Sequence, residues 1–174
     1  MHYADIKQYD VANGPGVRVS LFVSGCTHHC KNCFNQVTCD FNYGDEFTDK
    51  EMDRIIEYLS PDYIRGITLL GGEPMEHTNQ QGLLPLLRKI RQTYPQKDIW
   101  CFTGYDFDRD VKGRMLKEWP ETGEFLSYID VLVDGPFIEE QKSVALRFKG
   151  SANQRTIDVK KSMEQGKTVL MEGY

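Results

Sequence analysis

The chain has 174 residues, 21 of them basic and 26 acidic, for a net charge of −5 with histidines neutral. That length makes one domain with a sizeable buried core, and the mild acidity with no Lys/Arg run argues against a nucleic-acid-binding surface. No apolar run approaches the ~20 residues that span a bilayer, and the polar start "MHYADIKQYD" lacks the regions of a signal peptide, so a cytoplasmic, reducing location is expected. Five cysteines, three of them clustered in a chain this long, favour metal or redox chemistry over a disulfide framework.

In chain order, "VRVSLFVSG" (17–25) reads as a strand that feeds directly into "SGCTHHCKNCFNQ" (24–36). A helix follows over 48–60, where Thr48 and Glu51 make a capping box and Met52, Ile55, Ile56 and Leu59 recur at helical spacing. "GITLLGG" (66–72) is a short, continuously apolar strand of the kind buried on both faces. A second helix is expected over 82–94, its regular part starting near Pro85. "DIWCFTGY" (98–105) and "IDVLVDG" (129–135) are the third and fourth strands, separated by a helical segment that Pro120 and Gly123 interrupt. "TVLMEG" (168–173) reads as a further strand or a tail packed on the core, and "DVKKS" (158–162) as a solvated face.

Strand–helix–strand units with buried strands predict an α/β fold with an open, mostly parallel sheet, right-handed crossovers and flanking helices. Nothing in residues 1–174 suggests a second domain. In such a sheet, ligands collect at the carboxyl ends of the strands. Here those ends carry the cysteine loop, "GGEP" (71–74), "TGY" (103–105) and "DGPF" (134–137), so all four predict one site edge.

The cysteines leave two readings open. Structural zinc takes four ligands, and Cys26, Cys30 and Cys33 with Cys39 would supply them in an interaction module. His28 and His29 lie inside a loop whose ends are themselves candidate ligands, so they read better as solvated loop residues or as donors to those ligands than as ligands. An iron–sulfur cluster is the other reading: four irons on three thiolates leave one iron open to a small molecule, which makes a reaction site rather than an electron wire. Cys101 reads as a small buried hydrophobe.

The C-x3-C-x2-C loop after the first strand, with Phe34 beside the third cysteine, resembles that of the radical S-adenosylmethionine superfamily, and "GGEP" resembles its second motif. "NGPGVRVSLFVSGCTHHCKNCFN" (13–35), "LLGGEPM" (69–75), "WCFTGY" (100–105), "DVLVDGPF" (130–137) and "RFKGSANQR" (147–155) are together similar to the family of glycyl-radical activases that serve anaerobic ribonucleoside-triphosphate reductase. The blocks run from about 13 to 155; the tail beyond 156 carries no recognised motif.

The resemblance implies a short partial (β/α) barrel of radical S-adenosylmethionine type and an oxidoreductase activity. It implies one [4Fe-4S] cluster on Cys26, Cys30 and Cys33, with the open iron chelated by the amino and carboxylate groups of S-adenosylmethionine. One-electron cleavage would then yield methionine and a 5′-deoxyadenosyl radical, which abstracts hydrogen from a backbone glycine of the large reductase subunit. A low-potential donor such as flavodoxin is implied as the electron source. Cofactor contacts are implied for Asn32, Cys33 and Phe34 at the adenine end, Gly71, Gly72 and Glu73 at the methionine end, and Thr103. Asp134, Gly135, Arg18 and the "NGPG" turn (13–16) are further candidates, the turn at the mouth where the partner's glycine loop enters. Cys39 is expected near the cluster but not on it.

Overall fold

The four apolar runs form the parallel centre of one sheet. The computed structural model describes residues 1–174, with elements β1 (His2–Asp10), β2 (Val17–Val23), β3 (Asp45–Glu46), α1 (Asp49–Tyr58), β4 (Ile64–Gly71), α2 (His77–Thr93), β5 (Asp98–Phe102), α3 (Leu116–Glu118), α4 (Pro120–Tyr128), β6 (Val131–Asp134), β7 (Arg155–Asp158) and α5 (Val159–Gln165). The strand order is β3-β1-β2-β4-β5-β6-β7. The pairs β2–β4, β4–β5 and β5–β6 are parallel, while β1, β3 and β7 add antiparallel margins.

Register sorts the side chains of the parallel strands onto two faces. Leu21, Leu69, Cys101 and Leu132 stand opposite one another and join the helices in a core of 26 buried residues. Cys101 is fully buried there, as a small hydrophobe. The next row, Ser20, Thr68, Trp100 and Val131, faces the other way. On that face Trp100, Val131 and Val133 pack with Phe102, Phe148, Met171 and Tyr174. Arg18 is fully buried there, bonded through Nε to Thr68 Oγ1 (2.8 Å) and through Nη2 to the Ile67 carbonyl (2.8 Å), paired with Asp98, and 5.5 Å from the centre of the Trp100 ring.

Several boundaries differ from the sequence reading. Helix α2 starts at His77, well before Pro85, and Pro85 lies inside it on the exposed side. The extra turns are stabilised by buried amides: Asn79 donates to the carbonyls of Ser24 (3.0 Å) and Glu73 (2.9 Å), and Gln80 to that of Met75 (2.8 Å). Their polar sequence hides a buried face. The segment after β5 forms a π-helical stretch, Phe107–Met115, that runs into α3. Pro120 then opens α4 as its first residue, and Gly123 lies within α4 without breaking it. The polar start, not read as a strand, forms β1, and of residues 158–162, read as a solvated face, Val159 and Ser162 are buried in α5. The capping box is present, Glu51 Oε2 accepting the Thr48 N–H at 3.0 Å. The tail runs alongside β7: Asp158 N–H donates to the Val169 carbonyl (2.9 Å) and Met171 N–H to that of Thr156 (2.8 Å). No helix is long and apolar enough to cross a membrane.

Candidate metal centre

Beyond β2 the chain forms a loop that closes on itself at its base. Gly25 N–H donates to the Thr38 carbonyl (2.7 Å) and Cys26 N–H to that of Cys39 (3.2 Å), so residues 25–26 and 38–39 pair and the chain between them bulges outward. Within the bulge, His29 (φ 50°) and Asn32 (φ 56°) adopt the left-handed conformation, which Asn and His tolerate better than most residues. Each immediately precedes a cysteine, and Cys33 N–H donates back to the Cys30 carbonyl (3.2 Å). Two sharp reversals thus bring Cys26, Cys30 and Cys33 around one cavity of about 180 Å³.

The floor of that cavity is the carboxyl edge of the parallel sheet: Leu70 to Glu73 at the end of β4, Phe102 to Gly104 at the end of β5, and Gly135 after β6. The expected convergence of four strand ends is therefore present. The glycine pair has a packing reason. Gly71 has φ 107°, and a Cβ there would lie 2.6 Å from the Val23 carbonyl oxygen. A Cβ on Gly72 would lie 2.6 Å from the Gly25 oxygen and 2.8 Å from that of Thr38. The bare turn lets two bonds stitch β4 to the cysteine loop, Gly72 N–H to Val23 carbonyl (2.7 Å) and Glu73 N–H to Gly25 carbonyl (2.8 Å).

Glu73 is 1% exposed, and both its oxygens are engaged. Oε1 accepts the Met75 N–H (2.8 Å); Oε2 accepts the Gly104 N–H (2.7 Å) and lies 2.8 Å from His28 Nε2. Burial works against a charged His28, yet the Glu73 carboxylate outweighs it and raises the imidazole pKa above its ordinary value. Thr103 is buried on the cavity wall and its hydroxyl accepts the Tyr105 N–H (3.1 Å). The Tyr105 hydroxyl donates to Glu76 (3.1 Å), which also accepts the Thr27 N–H (3.0 Å). Burial and these acidic neighbours push Tyr105 up to about 12.

Not every expected residue lines the cavity. Asn32 is exposed outside it, and Phe34 is 70% exposed, its ring 5.4 Å from that of Phe137, with Lys142 Nζ 4.6 Å from its centre. Asp134 is turned away: its carboxylate takes the Phe107 N–H (2.8 Å) and the Arg155 guanidinium. The "NGPG" turn and Arg18 lie at the opposite end of β2 from the cysteine loop, the turn held by Thr68 Oγ1 donating to the Asn13 carbonyl (2.8 Å). Conversely, Cys39 lines the same cavity as the other three thiols, and His28, read from sequence as a loop residue, lines it too. Phe137 and Gln154 also line the cavity, from the "DGPF" and "RFKGSANQR" segments, although the sequence singles out neither side chain as a contact.

The donor set fits an iron–sulfur cluster. Thiolates are soft ligands suited to zinc or iron–sulfur centres, and no three His, Cys, Asp or Glu side chains converge on a single ion position. Burial, with Glu73, Cys39 and Glu76 nearby, pushes the Cys26 thiol up to about 12. A bound metal would reverse that balance by taking the thiolate.

Comparison with known proteins agrees. A family described as a 4Fe-4S single cluster domain matches residues 12–157. The chain is 43% identical over 157 residues to an anaerobic ribonucleoside-triphosphate reductase-activating protein of Vibrio cholerae, covering 88% of this chain and 96% of that one. It is 40% identical over 156 residues to the protein of that name from Escherichia coli (strain K12), with 88% and 96% covered. To the one from Enterobacteria phage T4 it is 38% identical over 155 residues, with 89% and 92% covered.

Proposed function

The chain belongs to the family of anaerobic ribonucleoside-triphosphate reductase-activating proteins, and from that membership we propose that it activates such a reductase by installing a glycyl radical in the large subunit. On this reading residues 1–174 form one radical S-adenosylmethionine domain, its sheet a short partial (β/α) barrel open enough to admit a segment of protein. The observation that carries the reading is the cavity itself: the thiols of a C-x3-C-x2-C loop share it with the carboxyl ends of all four parallel strands.

Cys26, Cys30 and Cys33 would hold the cluster, and the cavity floor would take S-adenosylmethionine. When bound, the reduced cluster and this cofactor supply one-electron cleavage and abstraction of a glycine α-hydrogen. The protein supplies position. The stitched turn at Gly71 and Gly72 keeps backbone acceptors and the Glu73 carboxylate beside the thiols, where a methionine ammonium needs them. Thr103 presents a wall, and Phe34 and Asn32, which stand outside the cavity, would have to turn inward to meet the adenine end. Cys39 stays off the cluster, leaving one iron for the cofactor. A low-potential donor such as flavodoxin supplies the electron.

Anaerobic reconstitution tests this. The wild-type protein and Cys39→Ala should each carry about four irons and four sulfides per chain, while Cys26→Ala, Cys30→Ala and Cys33→Ala lose the cluster. With S-adenosylmethionine and a reductant, the wild-type protein should produce a glycyl-radical resonance in the reductase. One zinc per chain, lost in Cys39→Ala, would overturn the reading.

A further inference from the structure

His28 sits in a socket that cluster ligation by itself does not require. Its Nε2 lies 2.8 Å from Glu73 Oε2, and its side chain is 16% exposed on the cavity wall. The Tyr105 ring meets it edge-on with centroids 4.3 Å apart. Gly104 completes the socket: a Cβ there would lie 2.6 Å from His28 Cδ2 and 2.8 Å from Nε2. Gly104 is not in the left-handed region, so the imidazole, not the backbone, accounts for its bare Cα. Two separate elements therefore make room for the ring that the cysteine loop presents: the turn after β4 and the segment after β5.

We propose that His28 is a positioning residue for S-adenosylmethionine: it anchors the Glu73 carboxylate and clamps the Cys26–Cys30 limb over the turn at residues 71–73. The proposal rests on the reading of this cavity as a cluster-plus-cofactor site. The Glu73 carboxylate has no other side-chain partner within hydrogen-bond distance; its remaining bonds are to the backbone N–H groups of Met75 and Gly104. A buried carboxylate that loses its one side-chain donor must shift, protonate or recruit water. Each of these changes the surface that receives the cofactor's ammonium, while the three thiols remain in the loop.

The test compares reconstituted wild-type protein with His28→Ala, His28→Gln and Gly104→Ala, each in its cluster-loaded form. Iron content, the affinity for S-adenosylmethionine, and the change that this cofactor produces in the paramagnetic resonance spectrum of the reduced cluster are measured. His28→Ala should keep its iron and bind S-adenosylmethionine about tenfold more weakly, the size of one charge-assisted hydrogen bond, with the KM for the reductase unchanged. His28→Gln, whose amide can donate to Glu73, should recover most of the affinity. Gly104→Ala, which keeps the imidazole but displaces it, should reproduce the weakened binding. Wild-type affinity in His28→Ala, loss of cluster iron in that variant, or no recovery in His28→Gln overturns the proposal. Absence of any S-adenosylmethionine effect in the wild-type protein overturns the cofactor reading beneath it, and the two failures are thereby distinguished.

Discussion

A methyl group at position 72 would press on two backbone oxygens at once, those of Gly25 and Thr38, at 2.6 Å and 2.8 Å. Neither is the tip of a flexible side chain; both belong to the paired base of the cysteine loop. Gly72→Ala therefore has to push the loop off the end of β4. The expected cost is about 1–3 kcal/mol, the range for overpacking in a tight interior, read as a lower urea midpoint of the metal-free protein. Reconstituted Gly72→Ala should also hold less iron, because the displaced base carries Cys26 with it. An unchanged midpoint would show that the loop is not seated as described. "GGEP" stands out in the sequence, but the reason for its second glycine lies at residues 25 and 38, whose approach only the fold creates. His28 is a similar case. Beside two cysteines it reads as an ordinary loop histidine, and what makes it distinctive is Glu73 and Gly104, 45 and 76 positions further on.

Among the elements, α2 separates what the chain reveals locally from what it conceals. The four parallel strands are legible because burial on both faces demands continuous apolar runs, and the capping box of α1 is legible because it is a local exchange of bonds. The first turns of α2 are polar, "HTNQQG", yet Asn79 and Gln80 are buried, because their partners are carbonyls of the site loop and the turn before the helix. Hydrophobic periodicity cannot report a face made of amides. β1 escapes notice for a related reason: only Tyr3 and Asp10 of its nine residues are buried, so it shows little apolar alternation. Pro85 follows from the same account. It lies exposed within α2, where its ring removes a helical hydrogen bond and crowds the carbonyl one turn back. Because the helix is held at its start by Asn79 and Gln80, it tolerates this defect without relying on it. Pro85→Ala should raise stability by about 1–3 kcal/mol in a urea titration, with iron content unaffected. A loss of stability would mean that Pro85 helps to hold α2 in place instead of weakening it.

At the scale of the whole molecule, hydrogen-bonded carboxylates tie the margins of the sheet to its centre. Asp10, at the end of β1, takes bonds from Ala12 N–H (2.8 Å), Asn13 Nδ2 (2.6 Å) and the Ser20 hydroxyl (2.7 Å), and so joins the "NGPG" turn to β2. Asp130, just before β6, accepts the Ile99 N–H (2.8 Å) and pairs with Arg91 of α2 (2.5 Å) and Lys160 of α5 (2.6 Å). Burial alone would raise both pKa values. The hydrogen bonds from Ser20 and Asn13 to Asp10, and from Lys160 and Arg91 to Asp130, more than offset it and hold both carboxylates below their ordinary range. For a group whose pKa is depressed by folding, the unfolded chain binds the proton more readily. Its stabilisation is therefore complete above the unfolded value of about 4 and disappears as pH falls through the lower folded value. The urea midpoint should stay nearly level from pH 7 to about 5 and fall steeply below about 4. Asp130→Asn should be less stable at pH 7, where its ion pairs are lost, and should show a shallower acid fall. A midpoint that holds level to pH 3, or an equally steep fall in Asp130→Asn, would mean that these carboxylates do not couple α2, α5 and the outer strands to the sheet.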